Sequence, residues 1–185
     1  MATEQSGYCP EAKLSSAVAA MGADERRGMR ELDTLLHDYP ADARLHFLKG
    51  SMLAGKQDFA AARAAMRQAV QLAPDYGVAR FQLGLLLLSS GEPVEAQEAW
   101  GPLHSLPDTH PLHLFVKGLC RMIQDDFAEA TRLLKEGIAR NTENAPMNQD
   151  MQLVIANMAE KGGGEGGAVS PVDFLLQQSA FRPRH

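Results

Sequence analysis

A 34-residue period constrains this chain more than any other feature. Gly50, Gly84 and Gly118 recur at that spacing, and so do Phe47, Phe81 and Phe115. Ala62, Ala96 and Ala130 form a third column. Looser columns agree: Leu53 with Leu87, Phe59 with Phe127, and the bulky set Met66, Trp100 and Leu134. A period of this length marks an array of supersecondary units that bury their apolar faces by stacking. The units are helical. Alanine and leucine are abundant and aromatics make up only 6% of the 185 residues, a bias toward helix formers.

Segment 43–76 carries the fullest pattern: small Gly50, Asp58-Phe59 at a turn, Ala62, Ala69 and a closing Pro74. Segment 77–110 has Leu83-Gly84, Gly91, Ala96 and Trp100, with its proline displaced to Pro107. Segment 111–144 has Gly118, Asp126-Phe127 and Ala130, but Thr142 replaces the proline and Gly137 a small alanine. Segment 9–42 is weaker, with Ser16 at the glycine position and Gly28, Leu32, Leu35 and Pro40 in phase. On these residues the chain resembles the tetratricopeptide repeat (TPR) family, whose unit is a helix-turn-helix of 34 residues. The resemblance implies an all-α, right-handed, TPR-like helical solenoid of about four helix-turn-helix units. Residues 145–161 would add a capping helix, with Met147, Met151, Val154, Ile155 and Met158 at helical spacing. Small residues allow close helix approach, so Gly50 is expected to face Ala62 while Met66, Trp100 and Leu134 fill the space against the neighbouring pair. Pro40 and Pro74 stop the second helices because proline lacks the N–H.

In that family the first helix of each unit lines a concave face. The resemblance therefore implies a peptide-binding groove of Phe47, Phe81 and Phe115, with Ser51, Leu85 and Leu119 beside them and Leu88 and Met122 extending it. The alternative is that the phenylalanines are ordinary inter-repeat core. An apolar groove suits an amphipathic helix or an extended apolar peptide. Some family members clamp a terminal carboxylate. The corresponding positions here are Lys13, Ala17, Leu48, Val78 and Gln82, of which only Lys13 fits, so recognition of an acidic C-terminus is not expected. The expected function is that of a protein–protein interaction adaptor or assembly factor with a protein or peptide partner. Two alternatives stay open: a secretion-type chaperone that shields an apolar client, and a scaffold that self-assembles by tail exchange.

Residues 162–167 read as a glycine-rich tether. In 168–185, Ser170-Pro171-Val172-Asp173 has the form of a helix start, and Pro183 ends the segment. Val172, Phe174, Leu175, Leu176 and Phe181 make it apolar, yet it is too short to be a stable helix alone. As a tethered ligand it would plug its own groove or dock into a second copy, giving a homo-oligomer. A short helix with a purely structural role is the plainer reading.

The remaining features exclude more than they assign. A formal charge of −5 argues against coating nucleic acid. The start lacks a basic stretch followed by an apolar run, and the longest apolar run, Leu85 to Leu88, is far too short to insert in a membrane. A reduced, cytoplasmic protein is expected. Cys9 and Cys120 show no CxxC spacing, and Cys120 sits in an apolar helix pattern as a buried small side chain. His104, His110 and His113 match no zinc signature, and Asp125-Asp126 fits a helix cap better than a catalytic pair. No nucleophile-elbow, dinucleotide-binding or P-loop motif occurs. No catalytic residue, cofactor or metal is expected, and hence no enzyme.

Overall fold

A computed structural model describes residues 7–161, which contain nine α-helices and no strand. The tail residues Val172, Phe174, Leu175, Leu176 and Phe181 lie outside the described residues. Two compact units divide the chain, one ending at Ala79 and the other starting at Arg80. The first holds α1 (Glu11–Ala23), α2 (Glu25–Asp38), α3 (Ala43–Gly55) and α4 (Phe59–Leu72). The second holds nearly all of α5 (Gly77–Ser89), then α6 (Pro93–Trp100), a 3-10 segment (Gly101–Ser105), α7 (Pro111–Ile123), α8 (Phe127–Arg140) and α9 (Ala145–Lys161).

Local chemistry sets the helix boundaries. Asp24, Asp58 and Asp126 cap α2, α4 and α8, their carboxylates accepting the N–H of Arg27, Ala61 and Glu129. Each such cap is worth about 1 kcal/mol. Among the described residues, positive φ falls at Gln57, Gly91 and Asp125, again 34 apart, where the chain leaves one helix for the next. Only Gly91 meets that left-handed geometry with the residue best suited to it. The short α6 reflects Gly101-Pro102: a proline lacking its N–H ends the α-helical ladder, and a 3-10 segment carries the chain onward. That break, rather than the displaced Pro107, stops this second helix.

Within a pair, packing is set by glycine against bulk. A Cβ added at Gly50 would lie 2.8 Å from Met66 Cγ, and one at Gly118 would lie 2.9 Å from Leu134 Cγ. At Gly84 it would run into the indole of Trp100. The large residue of the second helix therefore sits directly over the glycine of its own pair. Met66, Trp100 and Leu134 are all fully buried, as are Ala62, Ala96 and Ala130. In the first pair the arrangement is inverted: Gly28 on α2 takes the close approach, with Met21 of α1 2.6 Å from where its Cβ would be. Gly137 is explained in the same way, because a Cβ there would lie 2.6 Å from the Phe115 ring.

A polar clasp fastens the start of the first unit. Asp42 is fully buried, and its carboxylate accepts the Cys9 N–H (2.8 Å) and the Arg44 guanidinium (2.7 and 3.0 Å). Arg44 also donates to the Cys9 carbonyl (2.7 Å) and to Glu11 (3.0 Å). Burial alone would raise the Asp42 pKa, but the Arg44 guanidinium and the two backbone N–H groups outweigh it and hold the carboxyl low. At the other end, Asn141 Nδ2 donates to Asn148 Oδ1, and Asn148 Nδ2 to the Asn141 carbonyl, each at 2.8 Å. This ties the end of α8 to α9. The buried side of α9 consists of Met147, Met151, Val154 and Met158.

Gly84→Ala tests the packing rule. A methyl group there displaces an indole that is both buried and hydrogen-bonded, so overpacking outweighs the gain in helix propensity. A net loss of about 2 kcal/mol is expected in urea unfolding.

Candidate peptide-binding face

The groove residues expected from the sequence divide by burial. On α3, Phe47 is half-buried, its ring 5.3 Å from that of Tyr76 and tilted by 54°. Ser51 is half-buried too, with its hydroxyl donated back to the Phe47 carbonyl (3.0 Å). On α5 and α7 the six others are buried: Phe81, Leu88, Phe115 and Leu119 completely, Met122 at 2% exposure and Leu85 at 7%.

Phe81 and Phe115 are core side chains, which corrects the picture of three free rings. The Phe81 ring lies 6.4 Å from Trp100 and 5.9 Å from Phe115. The Trp100 indole N–H donates to the Phe81 carbonyl at 3.0 Å, satisfying the one polar atom of a buried tryptophan. Phe115 fills the gap left by Gly137 across the α7–α8 pair.

Other expectations can be placed as well. Lys13 holds its ammonium 5.4 Å from the Tyr39 ring centroid and 3.4 Å from that residue's hydroxyl. Of its companion positions, Ala17 is buried and Leu48, Val78 and Gln82 are half-buried. Cys9 is buried and Cys120 half-buried, a correction for the latter. Burial pushes both thiols up, away from the reactive thiolate. His110 caps α7, its Nδ1 accepting the Leu112 N–H at 3.1 Å. His104 and His113 pack edge to face, with ring centroids 6.0 Å apart. Among the described residues no group of three His, Cys, Asp or Glu side chains could hold a metal ion. No described helix is long and apolar enough to cross a membrane.

Two residues that the sequence reading passed over now stand out. Tyr76 belongs to the column Asp42, Tyr76, His110 and Asn144. Three of these side chains cap helix starts, Asn144 by accepting the Met147 N–H, whereas Tyr76 turns its ring onto Phe47. One aromatic in a column of caps was the available signal. Asp150 on α9 is the other: burial pushes its carboxyl up to about 7.

The family model for the tetratricopeptide repeat matches residues 26–77 and again 55–101. Residues 26–101 of the chain are tetratricopeptide repeats. The matched residues run from α2 to the start of the 3-10 segment, and the all-α, helix-pair architecture belongs to the helical-solenoid class of that family. A search of curated proteins gave no match. Tetratricopeptide repeats are protein-interaction modules, which supports a general role in binding other proteins.

Two outcomes follow from the burial pattern. Phe81→Ala is expected to cost about 3–5 kcal/mol in urea unfolding, the usual range for a buried phenylalanine, and half-buried Phe47→Ala clearly less. Folding raises the Asp150 pKa from 3.8 to about 7. The folded state thus keeps a proton that the unfolded chain releases. Its stabilising contribution is full below pH ~4 and is lost as pH rises through about 7. Asp150→Asn removes that loss, so the variant is expected to melt higher than the parent at pH ~8 and to show a flatter pH profile.

Proposed function

We propose that this chain is an interaction adaptor or assembly factor that captures an apolar helix or peptide on the first-helix face of its repeats. The observation that carries this reading is the Phe47–Tyr76 pair, two aromatic rings in contact yet only half-buried, Phe47 on the first helix α3 and Tyr76 in the turn just before α5. Aromatic side chains that keep exposed area offer large contact surface at low entropic cost. Ser51 lies one turn along the same helix, its hydroxyl already satisfied, so covering it leaves no polar group unpaired. In the second unit Leu85, Leu88, Leu119 and Met122 are buried along with Phe81 and Phe115, so the proposed contact rests on the Phe47 face of the first unit.

The sequence of 168–185 supports a regulatory addition. Its Val172, Phe174, Leu175, Leu176 and Phe181 have the chemistry of the ligand proposed for this face, and the glycine-rich 162–167 would tether them. In this reading the tail competes with the client.

The test uses a fluorescent amphipathic helical peptide rich in Leu and Phe, with binding followed by anisotropy. Phe47→Ala is expected to weaken binding about tenfold, or ~1.4 kcal/mol, with the fold intact by circular dichroism. Affinity is expected to change little with added salt, because the contact is apolar. Removing 168–185 is expected to tighten it. Unchanged affinity in Phe47→Ala, or a steep loss with salt, rejects the apolar face.

A further inference from the structure

The 3-10 segment Gly101–Ser105 replaces the last turns of a helix and packs on both α6 and α7. Leu103 anchors it at 3% exposure. Beside that anchor, exposed His104 lays its ring edge to face against His113, in the first turns of α7. His113 is 6% exposed. Its Nε2 lies 3.4 Å from Asp108 Oδ1, and its Nδ1 is buried without a hydrogen-bond partner among the described residues. Lys117 follows one turn further along α7.

We propose that this corner is an acid-released joint: a proton taken up by His104 sets a cation against the buried His113 ring and Lys117, and the 3-10 segment then lifts from α7. The ionisable groups on the surrounding elements are Glu95 and Glu98 of α6, Asp108 and His110 of the connecting turn, and His113, Lys117 and Arg121 of α7. The charges of Glu95, Glu98, Asp108 and Lys117 are all exposed, where water screens them, so the buried His113 ring is the chief group that His104 faces. Burial, then His113, then Lys117 all disfavour the charged form of His104 and lower its pKa. A histidine whose pKa is lowered by folding gives stability that is present above its unfolded pKa, about 6.5, and is lost as pH falls toward the folded value. The window is that of endosomal or otherwise mildly acidified surroundings. Release uncovers Leu103 of the segment and Leu112 of α7, two side chains buried in the closed joint. The apolar area offered by the second unit therefore grows in acid, independently of the Phe47 face.

Hydrogen exchange resolved to residues 103–117 tests the joint in the full chain, with intrinsic rates corrected for pH. Between about pH 7.5 and about pH 5, protection of the amides of Leu112 to Phe115 is expected to fall several-fold in the parent protein and to hold steady in His104→Gln. The His104 ring proton, followed by NMR in the parent, is expected to titrate below the ordinary histidine range with the same midpoint as the loss of protection. Equal loss in His104→Gln, unchanged protection in the parent, or a ring that titrates at or above the ordinary value each overturns the proposal. Because none of these readouts involves a peptide, their outcome is separate from that of the binding test.

Discussion

Everything in the fold depends on a bulky side chain seated over a glycine. Met66 on Gly50, Trp100 on Gly84 and Leu134 on Gly118 are three versions of one contact. Each lets two helices approach to a distance that a single methyl would forbid, and each fills the resulting space with a fully buried side chain. Because the glycine supplies only room, the partner can differ in shape. Trp100 uses that freedom most, adding a hydrogen bond from its indole to the Phe81 carbonyl and drawing the Phe81 ring into the core.

The repeat was legible because it is a steric code: glycine, alanine and a large residue at fixed offsets describe helix contacts directly. The large member of each contact was less legible than the small one. Gly118 meets both the Leu134 side chain and the Ala130 backbone, so close approach and filling occur at one place. Gly137, in place of alanine in the fourth repeat, has the same origin, because it makes room for the Phe115 ring.

The candidate face was only partly legible, and Phe47 and Phe81 show why. Both occupy the same position of the repeat, but exposure at that position depends on neighbours the period does not encode. Phe47 stays partly exposed, whereas Phe81 beside Trp100 and Phe115 beside Gly137 are fully buried. Tyr76 was missed for a related reason. Its column consists otherwise of helix-capping Asp42, His110 and Asn144, so its position alone suggested a turn and not an aromatic contact.

On α2 and α8, charged side chains are paired within their own helices. Arg27 pairs with Glu31 on α2, while Arg132 and Arg140 pair with Glu129 and Glu136 on α8, all within one helix. Such exposed pairs contribute little to stability and present neutral, mutually satisfied ridges. The strongest charge cluster, Asp42 with Arg44, is spent on fastening Cys9 and Glu11. The proposed apolar face at Phe47 and Tyr76 lies on one unit and the proposed acid-sensitive corner at His104 on the other. The first would bind through shape and buried area, and the second would respond to the protonation of one ring rather than to overall charge.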